Sequence, residues 1–362
     1  MNLSKTEFLV VGGGLSGLHT AMALSSAGRD CLVLEGRARL GGRVLTCDAM
    51  GCQIEAGGLA GYDLGPTWVW QGQPRVAALF RELGIETFQQ HRPGDLLFEE
   101  QPDRFQRYPG LALQGDSLRV VGGIGRVVTA LAERIPDHRI RMAASVTAVT
   151  RSSSGVLATV RDLQGRDSEI SAAAALITAP PRLAINNIRF DPALPDEVQA
   201  RMVATPTWMA GHAKLLAIYQ ERLWESAGCS GEAISRVGPL AEIHDASPRD
   251  GGPYALFGFV GVPADQRYHD GVFEIVVERV GVCDALQCGP RHHTQSARIA
   301  RLLLTEGLEI NLLQAIDESF DHIRGRIEHA ASRRGRHGHR SALPQRAAIR
   351  IDFPQQEIRY SE

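Results

Sequence analysis

The spacing of apolar positions changes along the chain, and each change marks an element. Phe8 to Val11 is an unbroken apolar run, the pattern of a short parallel strand covered on both faces. A glycine-rich turn, a helical stretch and a second apolar run, "CLVLE", follow it. "PRVAALFRELGIE" carries Val76, Leu79, Phe80 and Leu83 on one stripe and predicts a helix. Residues 90 to 116 are polar and broken by prolines and glycines. "SLRVVGGIGRVVTALAERI" then restarts a glycine turn and a helix, with Val127, Val128, Leu131 and Ile135 inward. Between Arg141 and Pro181 the turn signals "SSSG" and "LQGR" separate three or four short strands. From His212 to Tyr219, alternation places Ala213, Leu215, Ala217 and Tyr219 on one face, with Lys214, Leu216 and Ile218 on the other. Residues 296 to 331 show helix-compatible spacing through Ile299, Leu302, Leu303, Leu313, Ile316, Phe320, Ile323 and Ile327. The remainder is basic, histidine-rich and unpatterned.

A chain of 362 residues implies about two domains, and 44% hydrophobic content is ordinary for a globular protein. A net charge of −2 argues against nucleic acid or a membrane surface as partner for the bulk of the chain. The basic cluster "RRGRHGHR", Arg333 to Arg340, reads as a solvated tail. No apolar run is long enough to cross a bilayer. "MNLSKTEF" lacks the apolar stretch of a secretory signal, so a cytoplasmic, reduced protein is expected. The six cysteines then serve as small buried apolar residues. Cys283, Cys288, His292 and His293 fit no strong zinc spacing, and no metal is expected.

Candidate chemistry begins at the first turn. Gly12, Gly14 and Gly17 form G-x-G-x-x-G between a strand and a helix, and Glu35 ends the next strand. The first glycine permits the tight turn, the second lets backbone approach a pyrophosphate, and the third lets helix pack on strand. The helix aims free N–H groups and a positive dipole end at the phosphates, and the acid stands near the position of ribose hydroxyls. Arg37 and Gly41-Gly42-Arg43 follow, offering close backbone approach and a cation for phosphate. Far downstream stands Lys214, one of only two lysines, inside a strand that is otherwise apolar on both faces. A charge there must find partners or lower its pKa, unless the strand is an edge and the stem reaches water.

"VVGGGLSGL", "LEGRARLGGRV" and "DLGPTWVW" resemble the flavin-containing amine oxidase family, the monoamine-oxidase-like flavoproteins. The resemblance implies an α/β fold with a Rossmann-like FAD-binding domain and a second, mixed α+β substrate domain. It places residues 1–75 and 117–185 in the first, and 76–116 and 186–267 in the second. FAD is the implied cofactor, bound through Gly12, Gly14, Leu15, Ser16, Gly17, Glu35, Arg37, Gly42 and Arg43. By the same resemblance Gly65, Pro66, Thr67 and Trp68 lie against the flavin, the Val146 backbone contacts adenine, and Lys214 holds a water near flavin N5. The implied reaction oxidises a small amine to an imine, with O2 as acceptor and H2O2 as product. A related flavin desaturase or dehydrogenase, or a catalytically impaired relative, are the alternative readings.

The resemblance runs from about Phe8 to about Gln266. The family's closing G-T-E-like and G-Y-x-x-G-A-like stretches do not occur between Tyr268 and Glu362. A slip of the reading frame near residues 268 to 290 is one account. A divergent C-terminus with its own helical pair is the other.

Overall fold

The computed structural model describes residues 4–51, 61–102, 104–207, 209–266 and 298–304. All of these belong to one compact unit, Met1–Leu313. The expected helical positions beyond 304, the basic tail and the Cys283/Cys288/His292/His293 set lie outside the described residues.

The first strand, Ser4–Val11, is central in a seven-stranded sheet. It pairs in parallel with Cys31–Leu34 on one side and with Asp167–Ile177 on the other. Its apolar run is explained by cover on both faces. Val10 packs into a cluster with Leu18, Ala21 and Met22 of the helix Leu15–Ser26 and with Val127, Val128 and Leu131 of the helix Gly125–Ala132. Leu9 and Val11 belong to the opposite cluster, with Ala158, Val160 and Ile170. The strands Ser145–Ser152, Gly155–Arg161 and Asp167–Ile177 form the antiparallel run anticipated from the turn signals. Arg189–Asp191 adds a further strand to this sheet at its edge.

A second seven-stranded sheet has the spatial order Arg298–Leu304, Ala213–Tyr219, Tyr254–Val260, Leu240–Asp245, Cys229–Ser235, Asp95–Gln101, Arg104–Pro109. The hairpin formed by the last two occupies the polar stretch 90–116, whose few apolar residues, Leu96 and Leu97 among them, are buried. The strand Ala213–Tyr219 is interior to the sheet, and all its side chains are buried. The edge-strand reading of Lys214 therefore does not hold.

One expectation is corrected. Arg298–Leu304 is a strand, not the start of a helix, and pairs antiparallel with Ala213–Tyr219. A short apolar run such as "RIARLLL" satisfies either periodicity. Pairing supplies partners for backbone N–H and C=O groups that an uncovered Ala213–Tyr219 edge would leave open.

Side chains from 45–47 and 62–64 pack against the second sheet. Leu45, Cys47, Tyr62 and Leu64 pack with Leu216, Ile218, Ala255 and Phe257 of the second sheet. Tyr62 is fully buried, and its hydroxyl donates to Pro253 O at 2.6 Å. Burial pushes its pKa up to about 12. Tyr62→Phe is expected to cost about 1 kcal/mol in a urea melt, because the Pro253 carbonyl loses its donor; an unchanged midpoint would show that this bond adds nothing.

Candidate active site

The glycines of the first turn do different jobs. Gly12 has φ +116°, a conformation suited to glycine, and its N–H donates to Leu34 O at 2.8 Å. A Cβ on Gly17 would stand 1.9 Å from Gly12 O, so only glycine lets the helix seat on the turn. Gly14 is different. A Cβ there would meet only Gly42 Cα, at 4.0 Å, and one on Gly42 would meet only Gly14 Cα, at 3.4 Å. Two side-chain-free stretches of backbone thus face each other across a narrow gap, tied by the Gly41 N–H donating to Gly13 O at 2.9 Å. The helix Leu15–Ser26 starts in this gap, with no side-chain cap and no acid in its first turn. Its leading N–H groups and positive dipole end are left for an anion. The cradle fits a pyrophosphate, which a side chain at Gly14 or Gly42 would displace.

Around it stand the other residues singled out in the sequence. The Glu35 carboxylate is buried and accepts Gly13 N–H at 2.7 Å and Arg37 N–H at 2.9 Å. A carboxylate retains further lone pairs after two such bonds. Ala144 N–H donates to Glu35 O and Ala143 N–H to Arg37 O, which brings the start of Ser145–Ser152, with Val146, beside the acid. Leu15 is half-buried against the core, and Ser16 and Arg43 are exposed. Arg37 and Arg39 both donate to Gly42 O and hold the second glycine turn. Arg39 was not among the sequence candidates.

Lys214 lies at the other side of this turn. Its ammonium is buried and donates to Asp63 O at 2.8 Å, Gly65 O at 3.2 Å and Thr67 Oγ1 at 2.5 Å. Nζ also stands 3.7 Å from the centroid of Phe257. Gly65 makes the crossing feasible: a Cβ there would fall 2.3 Å from Arg43 O. The segment Gly65–Trp68 therefore runs between the glycine turns and the lysine. Pro66 is exposed, Thr67 is buried, and Trp68 packs on His244, Phe257 and Phe259. Trp68 Nε1 donates to Gln90 Oε1, whose amide donates to Asp245 O.

Burial pushes the pKa of Lys214 down to about 7, with the Asp63 carboxylate opposing and Arg119 assisting the fall. Burial raises the Asp63 carboxyl, although Thr46 Oγ1 at 2.5 Å and Ile124 N–H at 2.9 Å donate to it. Burial likewise lowers Arg119, which donates to Ser247 O and Ala246 O, both at 2.8 Å. Asp63 and Arg119 are buried charges near Lys214 that sequence reasoning missed. Each is a lone charge in an apolar run, "YDL" and "LRVV", the same signal that exposed Lys214. Thr178, whose hydroxyl lies 2.9 Å from Val11 O, had no such signal.

A stability consequence follows from the lysine. Its folded pKa is about 7 and its unfolded value about 10.4, so the unfolded chain binds more protons between these limits. The penalty for burying the cation is full below pH 7 and fades as pH rises through that window. Stability is expected to rise there, and denaturant melts of Lys214→Met, compared with wild type, should lose this rise; parallel pH curves would refute it.

Comparison with known proteins agrees with this geometry. Residues 10–83 match the NAD(P)-binding Rossmann-like domain family, and residues 105–272 match the flavin containing amine oxidoreductase family. The putative flavin-containing monoamine oxidase AofH of Mycobacterium tuberculosis is 26% identical over 369 residues, covering 74% of this chain and 78% of that protein. Putrescine oxidase of Kocuria rosea is 38% identical over 92 residues, 25% of this chain and 18% of its own. Among solved structures, wild-type putrescine oxidase bound to putrescine has a TM-score of 0.68 at 19% identity, covering 83% of this chain and 85% of that one. Cyclohexylamine oxidase from Brevibacterium oxydans gives 0.66 at 18% identity, over 82% and 84% of the two chains. With a glycine cradle at the first turn, a buried lysine beside Gly65–Trp68 and these matches, the chain is similar to the flavin-containing amine oxidases, relatives that carry FAD.

Proposed function

We propose that this chain is an FAD-dependent oxidoreductase that oxidises a small amine to an imine, passing the electrons to O2 and releasing H2O2. The observation that carries the reading is the Lys214 ammonium, buried beside Gly65 and Thr67 rather than turned to solvent. Bound FAD supplies the two-electron chemistry, taking the equivalent of a hydride from the carbon next to the amine nitrogen.

The residues of the chain do the rest. The backbone at Gly12, Gly14, Leu15, Ser16 and Gly17, with Gly42, holds the pyrophosphate, and Arg37 and Arg43 add positive charge at its rim. Glu35 accepts from ribose hydroxyls, and the backbone of Val146 meets adenine. Gly65, Pro66, Thr67 and Trp68 close against the reactive ring. Lys214 holds a water there, giving up its longest hydrogen bond, to Gly65 O, to do so. With a pKa of about 7 it moves a proton at neutral pH, and its positive form favours a neutral over a protonated amine.

Residues 1–75 and 117–185 form the FAD-binding part and 76–116 and 186–267 the substrate part; membership of the two large sheets supports this division, except that Arg189–Asp191 joins the first sheet, Phe80 packs in the Val10 cluster and Thr87–Gln89 pairs with Ser117–Val120. Among the described residues no helix is long and apolar enough to cross a membrane. A cytoplasmic setting is in keeping with the buried thiols of Cys31 and Cys229. The test is the visible spectrum of the purified protein together with peroxide release from a panel of amines. A yellow protein that releases peroxide supports the reading. A yellow protein that oxidises amines without peroxide points to a dehydrogenase, and a colourless one that takes up no FAD refutes it.

A further inference from the structure

We propose that Asp63 is the positioning residue of the reactive site: its carboxylate, pinned at the start of the helix Gly125–Ala132, fixes the backbone that holds Lys214 and keeps that buried lysine in its cationic form for the reaction with O2. The assignment rests on the amine-oxidation reading and deepens it.

Geometry builds the pin. Thr46 and Asp63 stand directly opposite each other in the short antiparallel pair Thr46–Cys47 and Tyr62–Asp63, so their side chains share a face. That face meets the start of the helix. There the Ile124 N–H donates to Asp63 Oδ1 at 2.9 Å and the Gly125 N–H to Thr46 Oγ1 at 2.8 Å. Thr46 Oγ1 in turn donates to Asp63 Oδ1 at 2.5 Å. An acid at a helix N-terminus is stabilised by the unpaired N–H groups and the positive dipole end. The close approach needs Gly123, where a Cβ would fall 2.3 Å from Thr46 Cγ2 and 2.9 Å from Asp63 Oδ1. With its side chain held on the helix, Asp63 turns its main-chain oxygen to Lys214 Nζ at 2.8 Å. Gly65 O and Thr67 Oγ1, further along the same segment, receive the other two hydrogen bonds of the ammonium. The pinned carboxylate thus sets where all three acceptors stand.

Charge supplies the second half of the argument. Asp63, Arg119 and Cys47 are the ionisable groups that act on Lys214. His244 stands further off behind Phe257, its two ring nitrogens facing Glu232 and Glu242. Arg119 repels the ammonium and has a carboxylate of its own, Asp245, at 3.9 Å. Asp245 also faces Arg222, at 3.7 Å. Among the described residues Asp63 is therefore the carboxylate left to Lys214. Burial raises the Asp63 carboxyl, while Thr46, Lys214, Arg119 and Ile124 all favour its ionised form. Removing one partner of a buried pair leaves an unmet charge, which a lysine avoids by giving up its proton. Burial already draws the Lys214 pKa down to about 7, so loss of Asp63 should empty the cationic form at neutral pH.

The test is magnetic resonance of the FAD-loaded protein labelled with carbon-13 at the lysine ε carbon. The chain has only two lysines, Lys5 and Lys214, so each titration is read from its own signal. Asp63→Asn keeps an oxygen to accept from Ile124 and Thr46 but carries no charge. It is expected to lower the Lys214 midpoint by about one pH unit or more and to leave Lys5 unmoved. Reoxidation of the reduced protein by O2 should follow, about 10-fold slower than wild type near pH 8 and within about 2-fold of it near pH 5. In a Lys214→Met background the same change should have an effect of less than about 2-fold, whereas a merely structural role would slow both backgrounds alike. A Lys214 midpoint within about 0.3 unit of wild type overturns the assignment, as does a midpoint that moves without the reoxidation profile. Asp63→Ser, whose hydroxyl also accepts a helix N–H, carries the same expectation; failure of both variants to fold would make Asp63 a folding residue and overturn its positioning role. If both readouts move together yet no amine is oxidised, Asp63 stands and the oxidase reading falls. A protein that takes up no FAD overturns both.

Discussion

Lys214→Met is expected to slow reoxidation of the reduced protein by O2 by about 100-fold or more, with FAD still bound. The size is that of losing one preorganised donor in a water-excluded site. Methionine keeps the bulk of the stem but not the ammonium that donates to Asp63 O, Gly65 O and Thr67 Oγ1. The phosphate cradle lies on the far side of the Gly65–Trp68 segment and is untouched, so retention of FAD separates a chemical role from a folding role. Mixing anaerobically reduced protein with oxygenated buffer in a stopped-flow instrument reads the rate. A Lys214→Met protein that reoxidises as fast as wild type would show that the buried cation is structural only.

Gly14→Val should lower FAD affinity by at least about 100-fold, or roughly 2.8 kcal/mol, and leave the fold nearly intact. The reason is the gap it faces: a Cβ at Gly14 meets nothing nearer than Gly42 Cα at 4.0 Å, so the new side chain enters the cradle rather than the core. Gly14 has φ −79°, which any residue adopts, and valine at a helix N-cap costs about 1 kcal/mol or less relative to glycine. Gly17→Ala should behave in the opposite way. Its Cβ would sit 1.9 Å from Gly12 O, so the helix must lift off the strand, at a cost of roughly 3 kcal/mol or more. Equilibrium titration with FAD and a thermal melt on each variant separate the two effects. A Gly14→Val protein that binds FAD normally would remove the cradle from this account.

The features legible in the sequence were those set by local chemistry. An apolar run, three spaced glycines and an acid at the end of the next strand define the first turn, because each requirement is met within a few residues of chain. Lys214 was legible because a lone charge in a strand apolar on both faces needs an explanation that local structure does not supply. Its partners were not legible as such: two are backbone carbonyls, of Asp63 and Gly65, about 150 residues away in the chain. The interior place of Ala213–Tyr219 depends on Arg298–Leu304, whose short apolar run fits either period until an open strand edge decides it. The hairpin over Asp95–Pro109 was hidden for a related reason, since an edge hairpin keeps only a few apolar residues and its polar ones dominate the pattern. Thr46, Asp63 and Ile124 come from three parts of the chain that only the fold brings together.

The most direct measurement is an anaerobic titration of the FAD-loaded protein with 1,4-diaminobutane, followed in the visible flavin bands. Reduction by the substrate should bleach them, and admitting O2 should restore the colour with release of peroxide. Bands that persist through that titration and through a panel of other amines would contradict amine oxidation by this chain.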